Sequence, residues 1–147
     1  MQRLPEHGPC FVCGRQNSCG MGVTWYARED GSIFTEVTLT EVQQGPPGMA
    51  HGGASAALLD EAMGAAVWRA GFRAAAVNLN TTYQKPVPLG VKIQVTGRFI
   101  EKNEKRLFAL GEIRLPDGTV AVIGKGTYVE APHMFSELTS QFEVWQS

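Results

Sequence analysis

His51, Gly52 and Gly53 head a long run of small and apolar residues, and two adjacent carboxylates, Asp60 and Glu61, interrupt that run a little over two turns later. Each part has a chemical use. The first backbone N–H groups of a helix lack intrahelical acceptors and sit at the positive end of the helix dipole, so they can hold a developing negative charge. A carboxylate among apolar neighbours is costly to bury and is seldom kept without a task. Together they read as an oxyanion hole followed by a carboxylate that attacks an acyl carbon or activates water. Asp60 and Glu61 point about 100° apart around a helix, so they face different surroundings. His51, ahead of two glycines, reads first as a hydrogen-bonding residue of the loop and second as a proton-transfer group.

The element that must position these groups is a helix from about Gly52 to Ala70, roughly 28 Å long at the usual rise. Gly71 is a natural stop, and Arg69 suits the negative end of the dipole. Its alanines, leucines and Trp68 leave almost no polar face, which predicts burial nearly all round. Before it, Val23 to Arg28 and Ile33 to Leu39 read as a hairpin, with a turn at Glu29–Ser32. The Gly45-Pro46-Pro47-Gly48 segment makes a stiff approach to the helix. After it the period becomes two: Val77 to Tyr83, Val91 to Phe99, Leu107 to Leu115 and Thr119 to Val129 read as four strands in meander. The fold class that satisfies this order is α+β, one long buried helix wrapped by a curved antiparallel sheet. The chain divides into an irregular cysteine-containing extension (1–22), the main domain (23–131) and a tail (132–147), in which Phe142, Val144 and Trp145 are candidates for packing on a neighbour.

Asn78, Asn80, Thr81 and Thr82 offer hydrogen bonds on the strand beside the helix, where one face would line a substrate path; ordinary strand pairing also accounts for them. Tyr83, with Trp25, Trp68 and Phe72, is either a pocket aromatic or core. The chain is 44% apolar and 18% charged with a formal net charge of −1, which fits a packed core and argues against general nucleic-acid binding. No phosphate-cradling glycine loop is present. The first eight residues lack the apolar core of a secretory signal, and Asp60, Glu61 and Arg69 break the apolar run that would otherwise suggest a membrane span. A cytoplasmic protein is expected. Cys10, Cys13 and Cys19 fit no disulfide framework. With His7 they have the outline of a zinc knuckle, but a second Cys-x-x-Cys pair is missing, and the reading adopted is reduced cysteines with no metal.

The His-Gly-Gly of residues 51–53, the Leu58-Leu59-Asp60 and Gly64 that follow, the preceding Gly-Pro-Pro-Gly and the strands to about residue 130 resemble the hotdog-fold acyl-CoA thioesterases, in the branch that includes the phenylacetate-pathway thioesterase. Cys10-Phe11-Val12-Cys13-Gly14, followed by Asn17 and Gly20, resembles an extension of some bacterial members. The resemblance implies hydrolysis of an acyl-CoA thioester, with CoA entering as part of the substrate and no other cofactor. It implies a dimer or dimer of dimers with active sites between subunits. Carried over by position, Gly53 supplies a backbone N–H to the thioester oxygen, Gly52 admits close approach, His51 fixes the loop and Asp60 is the catalytic carboxylate. Glu61 becomes a partner at the site or interface. Two departures stand out: Gly45 where many relatives carry Asn or Gln, and Ala76 where some carry Ser or Thr. They favour an alternative, a non-catalytic acyl-CoA-binding protein, which the retained Asp60 opposes. A hotdog hydratase would need a paired His and acid near Asp60, and that spacing is absent.

Overall fold

The computed structural model describes residues 1–134. The expectations for Phe142, Val144 and Trp145 lie outside the described residues. In chain order the elements are β1 (Gln2–Arg3), β2 (Tyr26–Ala27), β3 (Ile33–Thr38), α1 (Gly52–Arg69), β4 (Ala74–Tyr83), β5 (Lys92–Asn103), β6 (Arg106–Arg114) and β7 (Val120–Glu130). All seven strands form one antiparallel sheet in the order β1-β2-β3-β5-β6-β7-β4. One face wraps α1, as expected.

The expected meander holds for β5, β6 and β7 but not for β4, which pairs with β7 at the far edge. The reason is the helix. Leaving β3, the chain crosses the sheet face as α1 and arrives at the opposite edge, and the segment 84–91 carries it back beside β3. Strand β4 also starts at Ala74, three residues before the alternating pattern predicts, because pairing with β7 overrides the weak strand preference of three alanines. Strand β5 runs on to Asn103 through a bulge between Phe99 and Glu101, and the turn falls at Glu104, whose φ is 56°. The expected first strand of the early hairpin shortens to Tyr26–Ala27.

The depth at which α1 sits is set by glycines. Gly97, Gly111 and Gly124 lie in register across β5, β6 and β7. A Cβ on Gly97 would stand 2.4 Å from the backbone carbon of Ala62, and one on Gly124 would meet Leu59 and Met63. The row forms a trough into which Leu59, Ala62 and Met63 sink, and all three are fully buried. Trp25, Ile33, Leu58, Ile93, Leu107 and Ile113 complete this core. No helix among the described residues is long and apolar enough to cross a membrane.

Candidate active site

The helix start is built tightly. His51 caps α1: its Nδ1 accepts the Gly53 N–H at 2.8 Å, and its own N–H donates to the Gln43 carbonyl at 2.7 Å. The Gly53 N–H expected to face a substrate oxygen is therefore engaged by His51 within the same loop. The Gly52 N–H, one residue earlier, has no acceptor among the described residues. Gly52 is held from its other side, because the Tyr83 hydroxyl donates to its carbonyl at 2.6 Å. The approach loop explains one departure noted above. A Cβ on Gly45 would stand 2.8 Å from the His51 Cα, so an Asn or Gln there would collide with the loop it is supposed to serve.

Asp60 is partly buried on α1 and lines a cavity of about 440 Å³ with Ala57, Gly64, Ala76, Tyr128 and residues of the N-terminal segment. The Tyr128 hydroxyl lies 3.3 Å from its Oδ1 and 3.2 Å from its backbone carbonyl. Tyr128 fits against the helix beside two glycines, since a Cβ on Gly126 would stand 2.7 Å from its ring. Burial raises the Asp60 carboxyl above the ordinary Asp value, and the Tyr128 contact pulls the other way. Burial, then the neighbouring Asp60 charge, raises the Tyr128 phenol well above its ordinary value. A carboxylate in such a place is under-solvated and basic, which suits it to take a proton from water or to attack a carbonyl.

Glu61 faces another neighbourhood. Its Oε2 accepts the Trp25 indole N–H at 2.6 Å, and its Oε1 lies 2.9 Å from the Cys10 Sγ and 3.4 Å from the His7 Nε2. Burial first, and contact with Cys10 second, push its carboxyl up to about 9. These partners come from residues 36 to 54 positions away, and the sequence gives no local sign of them. Cys13 joins the group through a 3.2 Å contact with the His7 Nδ1, whereas Cys19 is exposed elsewhere.

The β4 residues divide by face. The bulge at Ala76/Asn78 shifts the alternation by one, so Leu79 and Thr81 pair with Gly126 and Gly124 on the helix side. Asn78, Asn80 and Thr82 fall on the opposite, exposed face, away from the Asp60 cavity. Of the strand residues expected at the site, Tyr83 reaches the helix start and those three do not.

A family model described as the thioesterase superfamily matches residues 47–122, a span holding the His51–Gly53 loop, all of α1 and the strands β4 to β6. The chain belongs to the thioesterase superfamily. Among its relatives, acyl-coenzyme A thioesterase THEM4 of Mus musculus is 35% identical over 95 residues, which is 65% of this chain and 38% of that protein. The chain thus spans well under half the length of this relative. A crystal structure of another superfamily protein is 36% identical with a TM-score of 0.80, covering 83% of this chain and 60% of that one. A Bacillus halodurans protein solved with CoA is 28% identical with a TM-score of 0.64, over 73% of this chain and 72% of that one. The Escherichia coli PaaI protein of the phenylacetic acid degradation operon shares the hotdog fold at 18% identity and a TM-score of 0.67, over 76% of this chain and 80% of that one.

Proposed function

We propose that this chain hydrolyses an acyl-CoA thioester to the free acid and CoA, with Asp60 as the reacting carboxylate. The observation that carries the reading is the Asp60 carboxylate itself, under-solvated and facing a mostly apolar cavity of about 440 Å³ from the middle of a largely apolar helix. Asp60 either removes a proton from the water that attacks the carbonyl, or itself attacks the carbonyl to give an anhydride that water then opens; in both routes the C–S bond breaks and CoA leaves as a thiolate that takes up a proton from water. In both routes the carbonyl oxygen gains charge, and a helix-start N–H is suited to receive it. Gly52 has the uncommitted N–H, so the oxyanion role expected of Gly53 moves one residue back, with His51 and Tyr83 positioning the loop.

This reading implies a second copy of the chain. Eight residues of helix separate Gly52 from Asp60, about 12 Å. A carbonyl carbon under attack and its oxygen must both lie about 3 Å from the groups that act on them. Gly52 and Asp60 of one chain also open onto different depressions, which favours a thioester served by Gly52 of one chain and Asp60 of another. Strand β4 supplies the surface for a partner: it is an edge strand, with Val77 57% and Tyr83 50% exposed. A homodimer joined there would bring Asp60 of one protomer toward the Gly52 loop of the other.

The test is free-thiol release from short, medium, long and aryl acyl-CoAs, together with mixing of Asp60→Asn and Gly52→Val chains. Turnover by the wild type, and recovery of activity in the mixed dimer beyond that of either variant alone, are the expected results. Acyl-CoA binding without turnover of any substrate would favour the non-catalytic binder, to which Gly45 and Ala76 lend some support. Full activity in a monomer would overturn the shared site.

A further inference from the structure

We propose that His7, Cys10, Cys13 and Glu61 form a four-ligand metal site, matched to Zn²⁺, that fastens the N-terminal segment to the middle of α1. One ligand atom from each residue lies within 4.8 Å of all the others. Bond lengths of about 2.0 to 2.3 Å in a tetrahedral zinc site place neighbouring ligand atoms about 3.3 to 3.8 Å apart. Cys10 Sγ lies 2.9 Å from the Glu61 Oε1, and the His7 ring faces Cys13 with Nδ1 at 3.2 Å and Glu61 with Nε2 at 3.4 Å; since the imidazole ligates through one nitrogen, the ring turns and the side chains adjust by about an ångström to reach those separations. Two thiolates with an imidazole are a donor set that favours zinc over calcium or magnesium.

Two further features belong to a metal site more than to a chance cluster. The first is the Cys10-Phe11-Val12-Cys13-Gly14 turn. The Val12 and Cys13 N–H groups both point at the Cys10 Sγ, at 3.3 and 3.5 Å, and the Gly14 N–H closes the turn onto the Cys10 carbonyl at 2.9 Å. A Cβ on Gly14 would stand 2.2 Å from the Cys10 nitrogen, so glycine is needed for this closure. Backbone donors aimed at sulfur favour the thiolate, the form that binds metal. The second is Trp25, whose indole N–H fixes the Glu61 Oε2 at 2.6 Å and leaves Oε1 turned toward Cys10 and His7. A partner of this kind orients a ligating carboxylate. A hydrogen-bonded cluster of the same four groups would lean on thiols, which are weak donors and weak acceptors. One cation satisfies all four, and the protons it displaces from the thiols and the carboxyl pass to solvent.

Four protein ligands close the coordination sphere, so the metal holds structure and offers no open position for a substrate. His7 and Cys10 also line the Asp60 cavity, so the site would fix one wall of it. The knuckle outlined by the sequence thus takes its fourth ligand from α1, with Glu61 in the place of Cys19.

The experiment is metal analysis of the full chain, purified without a histidine tag or chelator, followed by exchange with Co²⁺ and absorption spectroscopy. About one zinc per chain is expected, with thiolate-to-cobalt charge transfer and the strong visible bands of a tetrahedral site. Cys10→Ser and Cys13→Ser should lose the metal, Glu61→Gln should hold it less tightly, and Cys19→Ser should keep it in full. Where a ligand variant does not fold, the cobalt spectra of the wild type and Cys19→Ser carry the test. A wild type with no more zinc than Cys10→Ser, cobalt spectra without thiolate bands, or a Cys10–Cys13 disulfide in the freshly purified chain would overturn the proposal. None of these readouts depends on thioester hydrolysis.

Discussion

Asp60 and Glu61 are neighbours in the chain and opposites in their surroundings. Glu61 has both carboxylate oxygens engaged, by Trp25 on one side and by Cys10 and His7 on the other. Among the described residues the Asp60 carboxylate has one side-chain hydrogen-bond partner, Tyr128, and an open cavity in front of it. A carboxylate saturated with partners organises structure. A carboxylate left half-satisfied in a cavity pays in stability and keeps its lone pairs for chemistry. One helix step separates the two surroundings, and the residues that impose the difference come from the N-terminal segment on one side and β7 on the other.

Several substitutions probe this contrast. The largest effect on stability is expected from Gly97→Ala, which disturbs both carboxylates by lifting the helix from its trough. The new Cβ would meet the Ala62 backbone at 2.4 Å, where no side-chain rotation gives relief. Overpacking of this kind costs about 1–3 kcal/mol, and chemical denaturation should place this variant at the upper end. Glu61→Ala comes next. It strands the Trp25 indole N–H and removes the partner of Cys10, at a cost of about 1–3 kcal/mol, with a lower thermal midpoint. Asp60→Asn should do the reverse at neutral pH, leaving the midpoint unchanged or higher, because it removes a poorly solvated charge and keeps an acceptor for Tyr128. A drop as large as that of Glu61→Ala would break the comparison. Tyr83→Phe is the mildest of the destabilising changes, with a loss of about 0.5–1.5 kcal/mol from the bond to the Gly52 carbonyl, and turnover should fall by more than this stability loss explains.

The helix was readable because its signals are local: two glycines after His51, an unbroken apolar run, and Gly71 beyond it. The carboxylates could be found for the same reason, since each contradicts its apolar neighbours. Their partners could not be found, because Cys10 is 51 residues and Tyr128 is 68 residues from the carboxylate each one touches. The position of β4 at the far edge follows from α1 crossing the sheet, which no local pattern encodes. Its start is hidden because Ala74, Ala75 and Ala76 carry little strand preference of their own, and the bulge after Ala76 puts Asn78, Asn80 and Thr82 on the face opposite Ala76. The trough of Gly97, Gly111 and Gly124 left a trace that strand periodicity alone does not use: glycine inside a strand marks close approach of another backbone. Gly53 shows how fine the remaining margin is: which of two adjacent N–H groups is left without an acceptor depends on the one the His51 ring takes up.

The most direct measurement is the turnover rate of Asp60→Asn against the wild type on the best acyl-CoA substrate, with acyl-CoA affinity and folding measured on the same preparations. If Asp60 does the chemistry, kcat falls by about 10²–10⁴-fold while affinity and the thermal midpoint hold. A folded Asp60→Asn that binds substrate and turns over within a few-fold of the wild type would contradict the account.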